Sequence, residues 1–211
     1  MNRTLLSTVL LLLFAACTRE GAPADAPATV DAPPPPLDQP AEDVPPATAT
    51  PAGGSLQVGL PAEGTIGFQG FGPAKFGATA EEVRMAWGGD LGEPQPSEPG
   101  GCHYLIPQPL TDEGYRVAFM IEGDRFARID VRADAVTAPG GGKVGMNTDQ
   151  IRDLYGDDMQ EQPHKYSDGK YLRIADAASG NALVFETEAD GTVDEWRIGT
   201  PPQVDYVEGC S

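Results

Sequence analysis

Lys75-Phe76-Gly77-Ala78-Thr79-Ala80-Glu81-Glu82-Val83-Arg84-Met85-Ala86-Trp87-Gly88 aligns without gaps to Lys143-Val144-Gly145-Met146-Asn147-Thr148-Asp149-Gln150-Ile151-Arg152-Asp153-Leu154-Tyr155-Gly156, 68 residues further on. The Lys, both glycines and the Arg coincide, Val meets Ile, and Trp meets Tyr. Thr79 with Glu82, and Asn147 with Gln150, have the spacing of a capping box, in which an N-cap oxygen and a side chain three residues on satisfy each other's backbone N–H. Val83, Ala86 and Trp87 fall at i, i+3 and i+4, as do Ile151, Leu154 and Tyr155, which gives each segment one apolar helical stripe. Gly88 and Gly156 stop the helices.

The chain after each helix reads as β-structure. The first set of runs is Cys102 to Ile106, Tyr115 to Ile121 and Phe126 to Val131; the second is Lys170 to Ala175, Ala182 to Glu188 and Thr192 to Ile198. Val117, Phe119 and Ile121 alternate with Arg116, Ala118 and Met120, the period of a half-buried strand. Asp190-Gly191 is a favoured tight-hairpin pair, and Glu122-Gly123-Asp124 takes the matching place. The expected fold class is therefore α+β, a tandem repeat of one short helix plus about three antiparallel strands. Repeat 1 spans about 66–133, repeat 2 about 134–200, and a tail 201–211 closes a domain beginning near residue 55. At ~65 residues neither unit has a generous core, so the two are expected to share a sheet or pack face to face.

This organisation, carried by Phe76-Gly77-Ala78-Thr79-x-x-Glu82-Val83-Arg84, its echo at 144–152 and the strands, resembles the β-lactamase-inhibitor-protein-like superfamily, which includes small outer-membrane assembly lipoproteins of the SmpA/OmlA type. The resemblance covers residues 70 to 199. It implies a protein-binding or envelope-assembly role without catalysis, and it carries no contact residues onto this chain.

The N-terminus reads as an address. Met1-Asn2-Arg3 is a positive start, Leu5 to Phe14 is almost wholly apolar, and Ala15-Ala16-Cys17 closes the segment, which is the pattern of a signal peptide. The run is too short to span a bilayer, which takes roughly 20 residues. Phe14-Ala15-Ala16-Cys17 resembles the bacterial lipobox, with Phe14 a mild departure at its first position. That resemblance implies acylation (palmitate-type chains) at Cys17 and, with Thr18 following, anchoring at the outer membrane, facing the periplasm or the outside. The same resemblance implies two acyl chains on the sulfur side of Cys17 and one on its new amine, three in all, more than the two signals that stable anchoring takes. Residues 18–54 hold ten of the 21 prolines, including Pro33-Pro34-Pro35-Pro36, and almost no apolar bulk. Such a stretch cannot bury enough surface to offset its ordering entropy, so it reads as a disordered spacer of polyproline character.

Of the 211 residues, 14 are Lys or Arg and 32 Asp or Glu, a formal net charge of −18. Twelve of the basic and 26 of the acidic residues lie from Ser55 onward, so the acidity belongs to the domain. Such a field repels phosphate backbones, which excludes most nucleic-acid roles, and attracts basic proteins. With Cys17 acylated, Cys102 and Cys210 remain as an even pair in an oxidising compartment, and a disulfide is their simplest use; the alternatives are a redox pair or a metal site, against which stand the lack of a CxxC and of clustered His.

No nucleophile elbow, P-loop, HExxH or EF-hand pattern occurs. Gly140-Gly141-Gly142-Lys143 superficially suggests a phosphate loop but lacks the outer glycine spacing and a following Ser/Thr, and its counterpart Gly72-Pro73-Ala74-Lys75 also precedes a helix, which points to a structural turn. His103 and His164 have no carboxylates at a telling spacing. Asp157, Asp158 and Asp190 read as turn and cap acids, so no metal or cofactor is expected. Trp87, Tyr155, Phe119, Phe185 and Trp196 occupy core-type positions. Tyr104, Tyr166, Tyr171 and Tyr206 are less constrained, and tyrosines on one sheet face suit a protein- or glycan-binding surface. The sequence thus points to a non-catalytic envelope lipoprotein binding a protein partner, with a lectin-like glycan-binding module as the alternative.

Overall fold

The computed structural model describes residues 59–92, 96, 98–112 and 114–210. The signal peptide, Cys17 and the spacer at 18–54 lie outside the described residues. Within the described part, three two-residue strands, β1 (Ile66–Gly67), β2 (Gly70–Phe71) and β3 (Ala74–Lys75), form a small antiparallel sheet. Helix α1 (Ala80–Trp87) follows, then β4 (Leu91–Gly92), β5 (His103–Pro107), β6 (Val117–Glu122) and β7 (Arg125–Val131). Helix α2 (Thr148–Tyr155) precedes β8 (Met159–Pro163), β9 (Lys170–Ala175), β10 (Ala182–Thr187) and β11 (Val193–Gly199).

These last eight strands form one antiparallel sheet in the order β4-β5-β6-β7-β11-β10-β9-β8. The expectation of an α+β tandem of helix-plus-three-strand units is thereby corrected: the protein is mostly β, with an eight-stranded and a three-stranded sheet and only two eight-residue helices among the described residues. Two causes separate the expectation from the structure. Each helix buries a single residue, Val83 or Ile151, so neither amounts to a layer. And β7 hydrogen-bonds to β11, with Val131 opposite Trp196, Asp130 opposite Arg197 and Ile129 opposite Ile198, so β4 to β11 run as one continuous sheet, one of the two arrangements expected for the strands, and do not divide into helix-plus-three-strand repeats.

Locally, the helices sit where the spacing placed them. Thr79 Oγ1 accepts the Glu82 N–H and the Glu82 carboxylate accepts the Thr79 N–H; Asn147 and Gln150 repeat the exchange. The β6–β7 hairpin turns on Gly123 and Asp124, both at positive φ (58° and 60°), the conformation a two-residue type I′ turn requires. The Asp190-Gly191 pair instead sits in a three-residue loop closed by Glu188 and Thr192, with Gly191 at φ 84°.

Alternation then divides the sheet's two faces. Leu105, Phe119, Ile129, Leu172, Phe185, Trp196 and Ile198 pack with Val83, Ile151 and Phe71 into the main core. Phe119 is its centre, with ring contacts to Phe71 (5.1 Å), Trp87 (5.6 Å) and Phe126 (6.0 Å). The opposite face carries a second, smaller cluster, Tyr171, Ala182, Val184 and Val204. On that face lie the C-terminal residues, which leave β11 at Gly199 and form a 3-10 turn over Gln203–Asp205 against β7, β10 and β11. The open edges are β4, two residues long, and β8, Met-Gln-Glu-Gln-Pro, whose Glu161 pairs with Arg152 of α2 and with Lys170 of β9 at 2.6 Å.

Phe119→Ala removes the ring at this centre and is expected to lower the unfolding free energy by ~3–5 kcal/mol. Met85→Ala, on the exposed side of α1 (66 % exposed), is expected to stay within ~0.5 kcal/mol. Urea unfolding followed by tryptophan fluorescence reads both.

Candidate functional site

The second face of the large sheet is built from the residues that alternate with the core. On β7, Arg128 and Asp130 point there, alternating with Ile129 and Val131; on β11, Glu195 and Arg197 flank Trp196. Arg128 (3 % exposed) and Asp130 (0 %) form a fork, Nε to both carboxylate oxygens at 2.9 and 3.0 Å and Nη2 to Oδ1 at 2.6 Å. Arg197 pairs with Glu186 of β10, and Arg132 with Glu195 at 2.5 Å. Burial alone would lower the Arg128 pKa, but the Asp130 charge and its hydrogen bonds outweigh that and hold it above the usual value. Burial, reinforced by Arg128, brings Arg197 down to about 10, where it stays charged at neutral pH.

These guanidinium groups clasp the chain's own C-terminal tail. Arg128 Nη1 donates to the carbonyls of Gln203 (3.0 Å) and Tyr206 (2.7 Å), and Arg197 Nε donates to Val204 O (2.6 Å). Gln203 donates to Glu122 (2.5 Å), and Arg173 holds the Asp205 carboxylate (2.9 Å). Val204 is fully buried among Tyr171, Ala182 and Val184. A disulfide between Cys102 and Cys210 ties the far end of the tail to the start of β5. Gly209, at φ 63°, crosses the Tyr104 hydroxyl so closely that a Cβ would lie 2.8 Å from it.

Two clefts flank the tail. One, about 340 Å³, is lined by Cys102, Glu122, Lys165, Glu208 and Cys210 among others; the other, about 210 Å³, includes Tyr171, Arg173, Arg197 and Asp205. Val207 is a wall of both. An open basin of about 560 Å³ lies further along, beside Tyr115, Arg116 and Arg132.

The four tyrosines singled out in the sequence fall differently. Tyr104 accepts a hydrogen bond from Arg128 Nη2 (3.1 Å) and stacks on Tyr115, whose ring in turn lies under Arg132. Burial first, then the carboxylates of Asp130 and Glu195, push the Tyr104 and Tyr115 hydroxyls well above the ordinary phenol range, so both stay protonated. Tyr171 is 8 % exposed, packed between His164 (4.7 Å) and Arg197 (5.5 Å). Tyr206 belongs to the tail itself. Tyr166 alone stands out, 61 % exposed, under Lys165 Nζ at 4.8 Å. The same Lys165 nitrogen reaches Glu208 at 3.1 Å, which sets Tyr166 on the rim of the larger cleft.

His164 Nδ1 accepts the N–H groups of Tyr166 and Ser167, and Nε2 faces Glu186 at 3.4 Å, so the imidazole organises the rim loop. His103 is buried on β5, with Nδ1 3.2 Å from Gly101 O. Of the glycine loop, Gly141 N–H donates to Ala138 O and Gly142 N–H to Tyr155 Oη, so these amides serve the turn. Asp190 accepts the Thr192 N–H. No group of three or more His, Cys, Asp or Glu is placed to hold a metal ion among the described residues. Sequence reading missed Arg128, Asp130, Glu186, Glu195 and Arg197. The signal was the alternation Arg128-Ile129-Asp130-Val131-Arg132 inside an apolar strand, repeated in Glu195-Trp196-Arg197.

No protein-family model matches the chain, and no curated protein does. Among solved structures, the chain is similar to the uncharacterized protein yfeY from Escherichia coli (12 % identity, 56 % of this chain and 86 % of that one, TM-score 0.38). It is also similar to an extracellular protein containing a SCP domain from Bacillus anthracis (11 %, 70 % and 49 %, TM-score 0.42). A third is a DUF4309 family protein, YjgB, from Bacillus subtilis (12 %, 58 % and 78 %, TM-score 0.31). With TM-scores below 0.5, none of these likenesses establishes a shared fold.

Asp130→Ala leaves the Arg128 charge buried without its partner and is expected to destabilise the domain by ~3–5 kcal/mol, against ~0–1 kcal/mol for Asp149→Ala, which breaks an exposed pair. Glu195 gives a pH signature. Burial, then the Asp130 charge, raise its pKa above the unfolded value of 4.5 against the pull of Arg132. The folded state therefore binds the extra proton, and this contribution to stability is full below pH 4.5 and lost as pH rises through the raised value. Unfolding titrations of Glu195→Gln from pH 4 to 8 are expected to show a smaller fall in stability than the parent.

Proposed function

We propose that this chain is a lipid-anchored envelope protein whose domain binds a protein partner without doing chemistry on it, with a preference for basic surfaces. The observation that supports this most directly is the rim of the larger cleft. Tyr166, an amphipathic residue of the type that dominates interface energetics, is 61 % exposed against Lys165 and His164, and Lys165 in turn pairs with Glu208 in the cleft that Glu122 also lines. The charged groups inside the face engage one another and the tail, with Arg128 on Asp130, Arg132 on Glu195 and Arg197 on Glu186. That is the disposition of a scaffold that shapes a surface. The net charge of −18 supplies the long-range attraction for a basic partner.

Affinity capture from envelope extracts with the immobilised domain is expected to recover a partner whose binding weakens as salt is raised. Tyr166→Ala is expected to weaken it about tenfold or more. Capture indifferent to both salt and Tyr166 would falsify the reading. The anchor has its own check: Cys17→Ser is expected to abolish fatty-acid labelling and release the protein from the membrane fraction.

A further inference from the structure

We infer that the Cys102–Cys210 disulfide is a thiol-exchange site, and that opening it releases residues 207–210 from the sheet while residues 203–206 stay clasped. The division follows from where the bonds fall. Up to Tyr206 the tail is held independently of the disulfide, by Arg128 on two carbonyls, Arg197 on a third, Arg173 on Asp205, and the buried Val204 side chain. Beyond Tyr206 the tail has no regular structure. Its anchors include the half-exposed Lys165–Glu208 pair, the contact of Val207 with the small apolar cluster, the close approach of Gly209 to Tyr104, and the disulfide itself. Segments with few buried contacts open at low free energy without the rest of the fold.

Access is provided by the same geometry. Both cysteines are only partly buried, and both line the cleft of about 340 Å³, which is open to solvent. A dithiol reductant can therefore reach them. Its thiolate attacks one sulfur and forms a mixed disulfide, and the other cysteine leaves as a thiolate. The second thiol of the reductant then resolves the mixed disulfide. The reductant leaves as a disulfide, and Cys102 and Cys210 take up its two electrons with two protons.

Release has a defined structural consequence. Val207 is the wall shared by the two clefts flanking the tail, so its departure joins them into one groove running from Glu122 and Lys165 to Tyr171 and Arg173. Gly209 leaves the Tyr104 hydroxyl uncovered. This inference rests on the proposed binding surface only for its biological use, since Tyr166 and Lys165 lie on the same rim; the latch itself is a property of the tail.

The test uses the purified, oxidised full chain treated with excess dithiothreitol without denaturant. Alkylation of both Cys102 and Cys210 is expected, and cleavage after Glu208 by a Glu-specific protease at least about tenfold faster, with the hydrogen-bonded amides of Val204–Tyr206 and those of β7 and β11 exchanging unchanged. The double variant C102S/C210S is expected to show the same cleavage and exchange pattern, so aggregation of the reduced protein does not block the measurement. Cysteines that resist the dithiol until denaturant is added overturn the inference. So does loosening of 203–206 or of the strands together with 207–210. If the latch opens as described but captured partners bind the oxidised chain and C102S/C210S equally, the exchange site stands and its link to partner binding fails.

Discussion

One guanidinium group, that of Arg128, holds together what would otherwise be separate parts of this fold. It sits on β7 beside the seam with β11, forks onto Asp130, reaches across to Tyr104 on β5, and takes two carbonyls of the C-terminal tail. A charge buried to this depth is tolerable only when each donor finds an acceptor. The position of the tail and the orientation of Asp130 are therefore linked: moving either strands the other's partner. Arg197, one strand over, repeats the arrangement with Glu186 and Val204 O. The sheet consequently has two unlike faces, one of aromatic and aliphatic side chains beneath the helices and one of ion pairs beside a small apolar cluster beneath the tail.

The parts of this architecture legible from sequence were those governed by local rules. Capping boxes at Thr79 and Asn147 announce helices because their bonds span three residues. The alternation Val117-Phe119-Ile121 announces β6 for the same kind of reason. Lys170–Ala175 was readable to the residue as β9. Strands β1 to β4 escaped because two-residue pairings in a glycine-rich stretch leave no period to detect, and β8 because Met-Gln-Glu-Gln-Pro carries no apolar alternation. How the halves combine was not local information. The matching segments 75–88 and 143–156 mark two capped helices, but the pairing of Val131 with Trp196 that merges the strands is a contact between distant residues.

The candidate surface shows the same division. The pairing of Cys102 with Cys210 followed from counting, and the two are bonded in the structure. Tyr104, Tyr166, Tyr171 and Tyr206 were grouped by residue type, yet only Tyr166 is presented to solvent; the others are occupied by Arg128, by Arg197 or by the tail's own path. What sequence reading undervalued was charge inside strands. Arginine and aspartate alternating with isoleucine and valine cannot belong to a simple solvent face when the strand is central, and such a pattern requires a covering element that supplies acceptors. Here that element lies four to seven residues past the last strand.

The rims of the large sheet have a further bearing on life at high local density, where copies of one protein crowd together. An exposed strand offers a row of unpaired amides on which another chain can extend the sheet. At one rim, β4 is too brief to template anything. At the other, β8 has the polar centre Gln160-Glu161-Gln162, with Glu161 fastened by Arg152 and Lys170, and it ends on Pro163, which has no N–H to give. The described margins of the sheet thus give a neighbouring strand little to pair with at either flank.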